Sequence, residues 1–155
     1  MKWITHEVVT GVIVFAATND ALLSVCSMAG AIIPDKIEGS PQSAGWSSWR
    51  SRHRGWSHWP MLYLLLALFL YKMEQYTPLA TPLGDLRTIG VFLCIGALLH
   101  ILEDGLCGKV PFILPWQKVG VKLFKVGSFT EYLAGLLLVL LAYGVHWLAA
   151  SFSVR

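Results

Sequence analysis

The sequence predicts an all-α fold. It is an integral-membrane helical bundle in which an N-terminal hairpin of short helices precedes three further transmembrane helices, in a single domain over residues 1–155. Three observations predict it. Of the 155 residues, 55% are hydrophobic and only 14% are charged, against about 25% charged in an average soluble domain. The apolar residues are gathered into long uninterrupted runs. The three cysteines, Cys26, Cys94 and Cys107, are odd in number, and two lie inside those runs, which argues against a disulfide framework. The same balance excludes a disordered chain, and a net charge of +3 is too small for a nucleic-acid-binding protein.

Residues 8–18 and 21–33 are apolar and are separated by Asn19-Asp20. Neither piece spans a bilayer at about 1.5 Å per residue. Asp20 suits the N-cap of the second piece, so the expected arrangement is a helical hairpin with Asn19-Asp20 at its tip. The alternative is one long span with Asp20 buried, which is costly unless the carboxylate is paired. A signal peptide is disfavoured because the apolar stretch follows Glu7 rather than a basic segment. Pro34 is expected to end the second helix and present Asp35 at its exit. Residues 59–76, 88–102 and 132–150 supply the three further spans, with Arg87 and Asp104 marking the ends of the second. Residues 34–58 form a Gly/Ser/Trp-rich loop in which Gly55 turns the chain into the next helix. Residues 105–129 form a basic, Pro/Gly-punctuated loop at the membrane interface.

Charge orients this arrangement. The hairpin puts Lys2, Lys36, Arg50, Arg52, Arg54, Lys109, Lys118, Lys122 and Lys125 on one side and Lys72, Arg87 and Arg155 on the other. The first side is therefore expected to be cytoplasmic. Six of the seven tryptophans, all but Trp147, fall there as an interfacial belt would.

Four of the five histidines, His6, His53, His58 and His100, fall on that side too, with Asp35, Glu38, Glu103 and Asp104. His146 stands alone at the opposite end. His100 and Asp104 are four apart, on one helix face, and an imidazole–carboxylate pair of this kind holds zinc or a harder metal; the plainer alternative is a helix-end salt bridge. His53 and His58 frame the run HRGWSH, with Arg54 suited to an anionic group; the alternative is a basic, Trp-rich membrane-surface segment. Asp35 and Glu38 alone would be an ordinary polar turn, and His6 alone an interfacial histidine. Taken together, these separated segments place ligand-type residues on one side.

Pro34-Asp35 with Glu38, then His53-Arg54-Gly55-Trp56-Ser57-His58, then His100 with Asp104, then Val110-Pro111-Phe112-Ile113-Leu114-Pro115-Trp116 form an ordered series. Headed by His6, it resembles the small LexA-regulated, membrane-bound metal-dependent hydrolases over roughly residues 4 to 117. Glu38 stands where many members carry a second aspartate, and Gly108-Lys109 replaces an uninterrupted glycine before Val-Pro. A more distant similarity to zinc-dependent phospholipase C points to a phosphoester or ester substrate.

The resemblance and the ligand pattern imply an enzyme: a metal-dependent hydrolase acting on an amphipathic, lipid-like phosphoester or ester. His6, Asp35, His53, His58, His100 and Asp104 would hold one or more divalent ions, zinc foremost. Six ligands exceed what one catalytic zinc uses and favour a multinuclear site. Glu38 or a free Asp35 oxygen would act as general base, and Arg54 would neutralise developing negative charge. The expected partner is a membrane lipid or lipid-linked substrate, with no nucleic acid. The expected location is the bacterial inner membrane, multi-pass, with the metal site on the cytoplasmic side. Two rivals remain: a non-catalytic divalent-metal-binding or transport protein, and a haem cytochrome, which the carboxylates beside the histidines make a poorer fit.

Overall fold

In the computed structural model, residues 1–155 are described except for 41–44, 48, 50–52, 75–79, 82–83 and 154–155. Arg50, Arg52 and Arg155 of the charge count thus lie outside the described residues. The fold is mostly helical.

Helix α1 covers Trp3–Thr18 and α2 covers Ala21–Glu38. Asn19 takes the left-handed conformation, with φ 54°, and its N–H closes α1 on the Phe15 carbonyl. The Asp20 side chain then accepts from the Leu23 N–H and caps α2. The two helices pack together as the expected hairpin, and the single long span is ruled out by the turn between them.

One local expectation is corrected. Pro34 does not end α2, which continues through it to Glu38. The ring removes only one backbone donor. The extra turn carries Asp35 and Glu38 up to imidazoles, and charge-assisted hydrogen bonds of that kind outweigh one lost backbone bond. Gly55, at φ −92° and ψ −133°, turns the chain into the next element as expected. Arg54 takes the left-handed conformation, with φ 56°, and its side chain is anchored on both Asp104 and Cys107. A 3-10 turn, Trp56–His58, follows, and Pro60 then opens α3, Pro60–Glu74, where its missing N–H costs nothing.

A two-residue antiparallel ribbon, β1 (Ala80–Thr81) with β2 (Gly84–Asp85), leads into α4, Leu86–Cys107. Helix α4 is the centre of the bundle. It runs parallel to α2, and the two cross through small residues. A Cβ on Gly30 would strike the Leu93 carbonyl, and one on Gly96 would strike the Ser27 carbonyl. Ser27 Oγ donates to the Phe92 carbonyl at 3.0 Å. Small residues let helix backbones approach this closely, as they do in membrane interfaces generally. Asp35 lies one turn beyond Ala31, and His100 one turn beyond Gly96, so the crossing delivers both to the same place. On its other flank α4 packs against α3, around Tyr63, Cys94, Ala97 and Ile101.

The predicted loop 105–129 contains structure of its own. Helix α4 extends into it as far as Cys107, and β3 (Val110–Pro111) pairs with β4 (Lys118–Val119). The chain then doubles back. The N–H groups of Val121 and Leu123 donate to the Gly105 and Leu106 carbonyls at 2.8 and 2.9 Å, satisfying carbonyls that a helix end leaves open. Helix α5, Phe129–Ser153, runs back along α1.

Helices α4 and α5 are long and apolar enough to cross a membrane. Helix α3 as described has 15 residues, about 22 Å at the helical rise, less than the roughly 30 Å of a hydrocarbon core. Of the three further spans expected, two therefore meet the length requirement among the described residues.

Candidate metal centre

Four segments meet at one end of the bundle. His6 comes from the start of α1, Asp35 and Glu38 from the last turn of α2, and His58 from the 3-10 turn. His100, Glu103 and Asp104 come from the last two turns of α4. His6, His58 and His100 are among the most completely buried side chains, and Glu103 and Asp104 are 3% exposed. So many buried ionisable groups persist only if they serve one another or a bound ion.

The inner donor atoms converge. His58 Nε2 lies 3.3 Å from His100 Nε2, 3.4 Å from Asp35 Oδ1 and 3.6 Å from Asp104 Oδ2. His100 Nε2 lies 3.8 Å from Asp35 Oδ1 and 3.9 Å from Asp104 Oδ2. Zinc bonds of about 2.0–2.1 Å in a tetrahedron separate their donors by about 3.3–3.4 Å. The distances that His58 Nε2 and His100 Nε2 make with each other and with the two carboxylates are therefore only slightly longer than zinc would draw them. His6 Nε2 approaches from the α1 side, 3.3 Å from Asp104 Oδ1. His6, His100 and Asp104 form one converging triad and Asp35, His58 and His100 another. The triads share His100, so they are overlapping positions of one centre. Among the buried imidazole nitrogens of the described residues, His6 Nε2 and His100 Nδ1 make no hydrogen bond, and His6 Nε2 faces the donors. The residues present thus fit a divalent ion.

Asp104 is the electrostatic hub. Its Oδ2 is 2.7 Å from Arg54 Nε and its Oδ1 is 2.7 Å from the Met1 amino group. Arg54 also donates to Cys107 Sγ at 3.3 Å. Its guanidinium occupies the space that a Cβ on Gly108 would need, so a side chain at that position would push the guanidinium off Asp104.

The other sequence-derived candidates stand behind this shell. Glu38 Oε1 accepts from Ser57 Oγ at 2.7 Å and from the Gly55 N–H at 3.1 Å, and lies 3.0 Å from His58 Nδ1. Its Oε2 is 2.8 Å from His53 Nδ1. Glu38 therefore meets the back of His58, and the carboxylate facing the donors from α2 is Asp35. His53 stands outside both triads, half-buried and stacked on Trp49 with ring centroids 4.2 Å apart. Glu103 received no role from the sequence, yet its Oε2 is 2.6 Å from His6 Nδ1. Its signal was its position, three residues after His100 on the same helix.

Burial pushes the Glu38 carboxyl upward, but hydrogen bonds from His53, His58 and Ser57 outweigh it and hold the group well below the usual carboxylate range. Burial pushes the His58 imidazole down, but its bonds to Asp35 and Glu38 and the nearby negative charge of Asp104 raise it to about 9. In the absence of metal His58 is thus an imidazolium at neutral pH.

A cavity of about 300 Å³ opens beside the centre, lined by Trp3, Asp35, Glu38, Gly39, Ser40, Trp49 and His53. The Trp3 indole N–H donates to Asp35 Oδ2 at 2.6 Å, so Asp35 belongs both to the cavity wall and to the donor shell. A larger groove between α1 and α5, about 400 Å³, is lined by apolar residues and His146 and lies away from the centre.

Over residues 1–154 the chain matches the family model described as YdjM inner membrane protein. No curated protein and no solved structure matches it.

Proposed function

This chain belongs to the YdjM inner membrane protein family, and on that footing we propose that it is a membrane-embedded metal-dependent hydrolase whose substrate is a lipid-like phosphoester or ester. The observation that carries the reading is that Asp35 Oδ1 and Asp104 Oδ2 each lie 3.4–3.9 Å from His58 Nε2 and His100 Nε2, which are themselves 3.3 Å apart. His58, His100, Asp35 and Asp104 would hold zinc, with His6 beside Asp104. Zinc there would supply an acidified water at neutral pH. His58 and His100 must present bare nitrogens to it. Arg54, paired with Asp104, places a fixed positive charge next to the centre, where an anionic group would collect. The cavity at Asp35 is open to a polar head group, and Trp3 and Trp49 on its wall suit a membrane interface.

In this reading the helices form a multi-pass bundle and the centre faces the cytoplasm, because the sequence assigns nine of the twelve Lys and Arg residues to that side. A topology reporter at residues 40–48 would read cytoplasmic.

The test is hydrolysis of fluorogenic phosphodiester and carboxylic-ester lipids by protein purified into nanodiscs. Activity should vanish with a chelator, return with zinc, and be absent from His58→Ala. Zinc bound in stoichiometric amount with no turnover of either class would favour the non-catalytic metal-binding alternative.

A further inference from the structure

Buried acids that touch no proposed ligand ion remain to be explained, Glu103 above all. A carboxylate on a membrane-crossing helix is expensive unless it has a partner. Glu103 has two: His6 Nδ1 at 2.6 Å from Oε2, and Thr10 Oγ1 at 3.4 Å from Oε1. On the other side of the centre, Glu38 Oε1 lies 3.0 Å from His58 Nδ1, and Ser57 Oγ, which donates to Glu38 Oε1, stands 3.0 Å from the same nitrogen. Each imidazole thus has one nitrogen on the carboxylate side and the other directed at the converging donors. A neutral imidazole whose Nδ1–H donates a hydrogen bond on that side has the Nε2 lone pair free. His6 Nε2, buried and without a hydrogen bond, is an atom in that condition.

We infer that Glu103 and Glu38 are paired positioning residues, each fixing the tautomer and ring orientation of one histidine, His6 and His58, so that Nε2 is offered to a divalent metal ion. This rests on the metal-centre reading above. Partners of this kind are worth about 10–100-fold in metal affinity. His100 differs. Its Nδ1 has no hydrogen-bond partner, and its ring lies against His6, with centroids 3.9 Å apart and planes tilted by 32°. Glu103 therefore positions two rings, His6 directly and His100 through it, whereas Glu38 positions one.

Glu131 provides a control at the same end of the molecule. It is fully buried too, but it accepts from the Lys2 and Gly127 N–H groups and from Thr5 Oγ1, and its hydrogen bonds go to no histidine. The experiment measures zinc affinity of the detergent-purified full chain by chelator competition, and histidine ¹⁵N shifts of the metal-free protein at alkaline pH. Glu103→Gln and Glu38→Gln should each weaken zinc about 10–100-fold and move the ¹⁵N signals of one imidazole toward the other tautomer. Glu131→Gln should lower thermal stability and leave zinc affinity unchanged. If Glu103→Gln costs no more affinity than Glu131→Gln, or leaves the ¹⁵N pattern as in wild type, Glu103 is a structural acid and the inference is overturned. Wild-type protein that takes up no zinc would overturn the metal-centre reading itself and the inference with it.

Discussion

Among the described residues, helices α4 and α5 are the two elements long and apolar enough to cross a membrane, and by hydropathy they are near twins. The structure uses them in opposite ways. Helix α4 is packed by α2 on one flank and α3 on the other, with Gly96, Ala97, His100 and Ile101 buried. Helix α5 lies against α1 near Gly135 and leaves most of its surface open, with Leu140 58% and Trp147 68% exposed. Apolar composition admits both to a membrane. What separates them is the placement of small and polar residues. A glycine in α4 meets another helix's carbonyl, whereas Gly144 of α5 has open space around it. The histidine of α4 faces two others across the centre, while that of α5 borders an apolar groove.

The comparison breaks most decisively at the histidines. His100→Ala should abolish most zinc binding, read as metal per chain in purified protein, while His146→Ala should leave it at the wild-type value. Equal losses would mean that the centre does not belong to α4's end of the bundle.

Next come the glycines. Gly96→Leu drives a side chain into the Ser27 backbone, which cannot yield as a flexible side chain could. Overpacking of this kind costs about 1–3 kcal/mol or more and should lower the melting temperature markedly or prevent recovery of folded protein. Gly144→Leu should leave the melting temperature close to wild type. If both variants behave alike, the α2–α4 crossing is not as tight as described.

A smaller effect should follow pH. The folded His58 group is raised above the ordinary 6.5 to about 9. Its contribution to stability is complete below pH 6.5 and is lost as pH rises through 9. Metal-free protein should therefore melt lower at pH 9.5 than at pH 6.5. Zinc-loaded protein should lose less, because the ion replaces that proton. A metal-free melting temperature that does not change over this window would contradict the pairing of His58 with Asp35 and Glu38.

The smallest effect sharpens the other half of the comparison. Leu140→Ala, on the open face of α5, should change stability by no more than about 0.5 kcal/mol. A larger loss in detergent would show that this face is covered by protein.

Much of the architecture was legible in the sequence because it depends on local signals. The Asn19-Asp20 break, read as a hairpin tip, is one, since a left-handed residue followed by a capping aspartate acts within a few residues. Pro34 misled for the same reason. A proline weighs against a helix locally, but the bonds that keep α2 going are made to His53 and His58, which are distant in sequence. His6, Asp35, His58, His100 and Asp104 were identifiable as one-sided ligand types from hydropathy and helical spacing. Glu103 was seen on that side but had no visible purpose, because its partner His6 is 97 residues away.

The sequence by itself determined an apolar helical chain, its turn at residues 19–20, and the assignment of four histidines and their acids to one side. Those properties follow from composition, period and capping, each written in neighbouring residues. The tertiary structure alone decided which acids face the donors and which stand behind them. It set Asp35 and Asp104 inside, Glu38 and Glu103 outside, and His53 apart. That division depends on how closely α2 approaches α4 through Gly30 and Gly96, residues whose partners are distant in sequence.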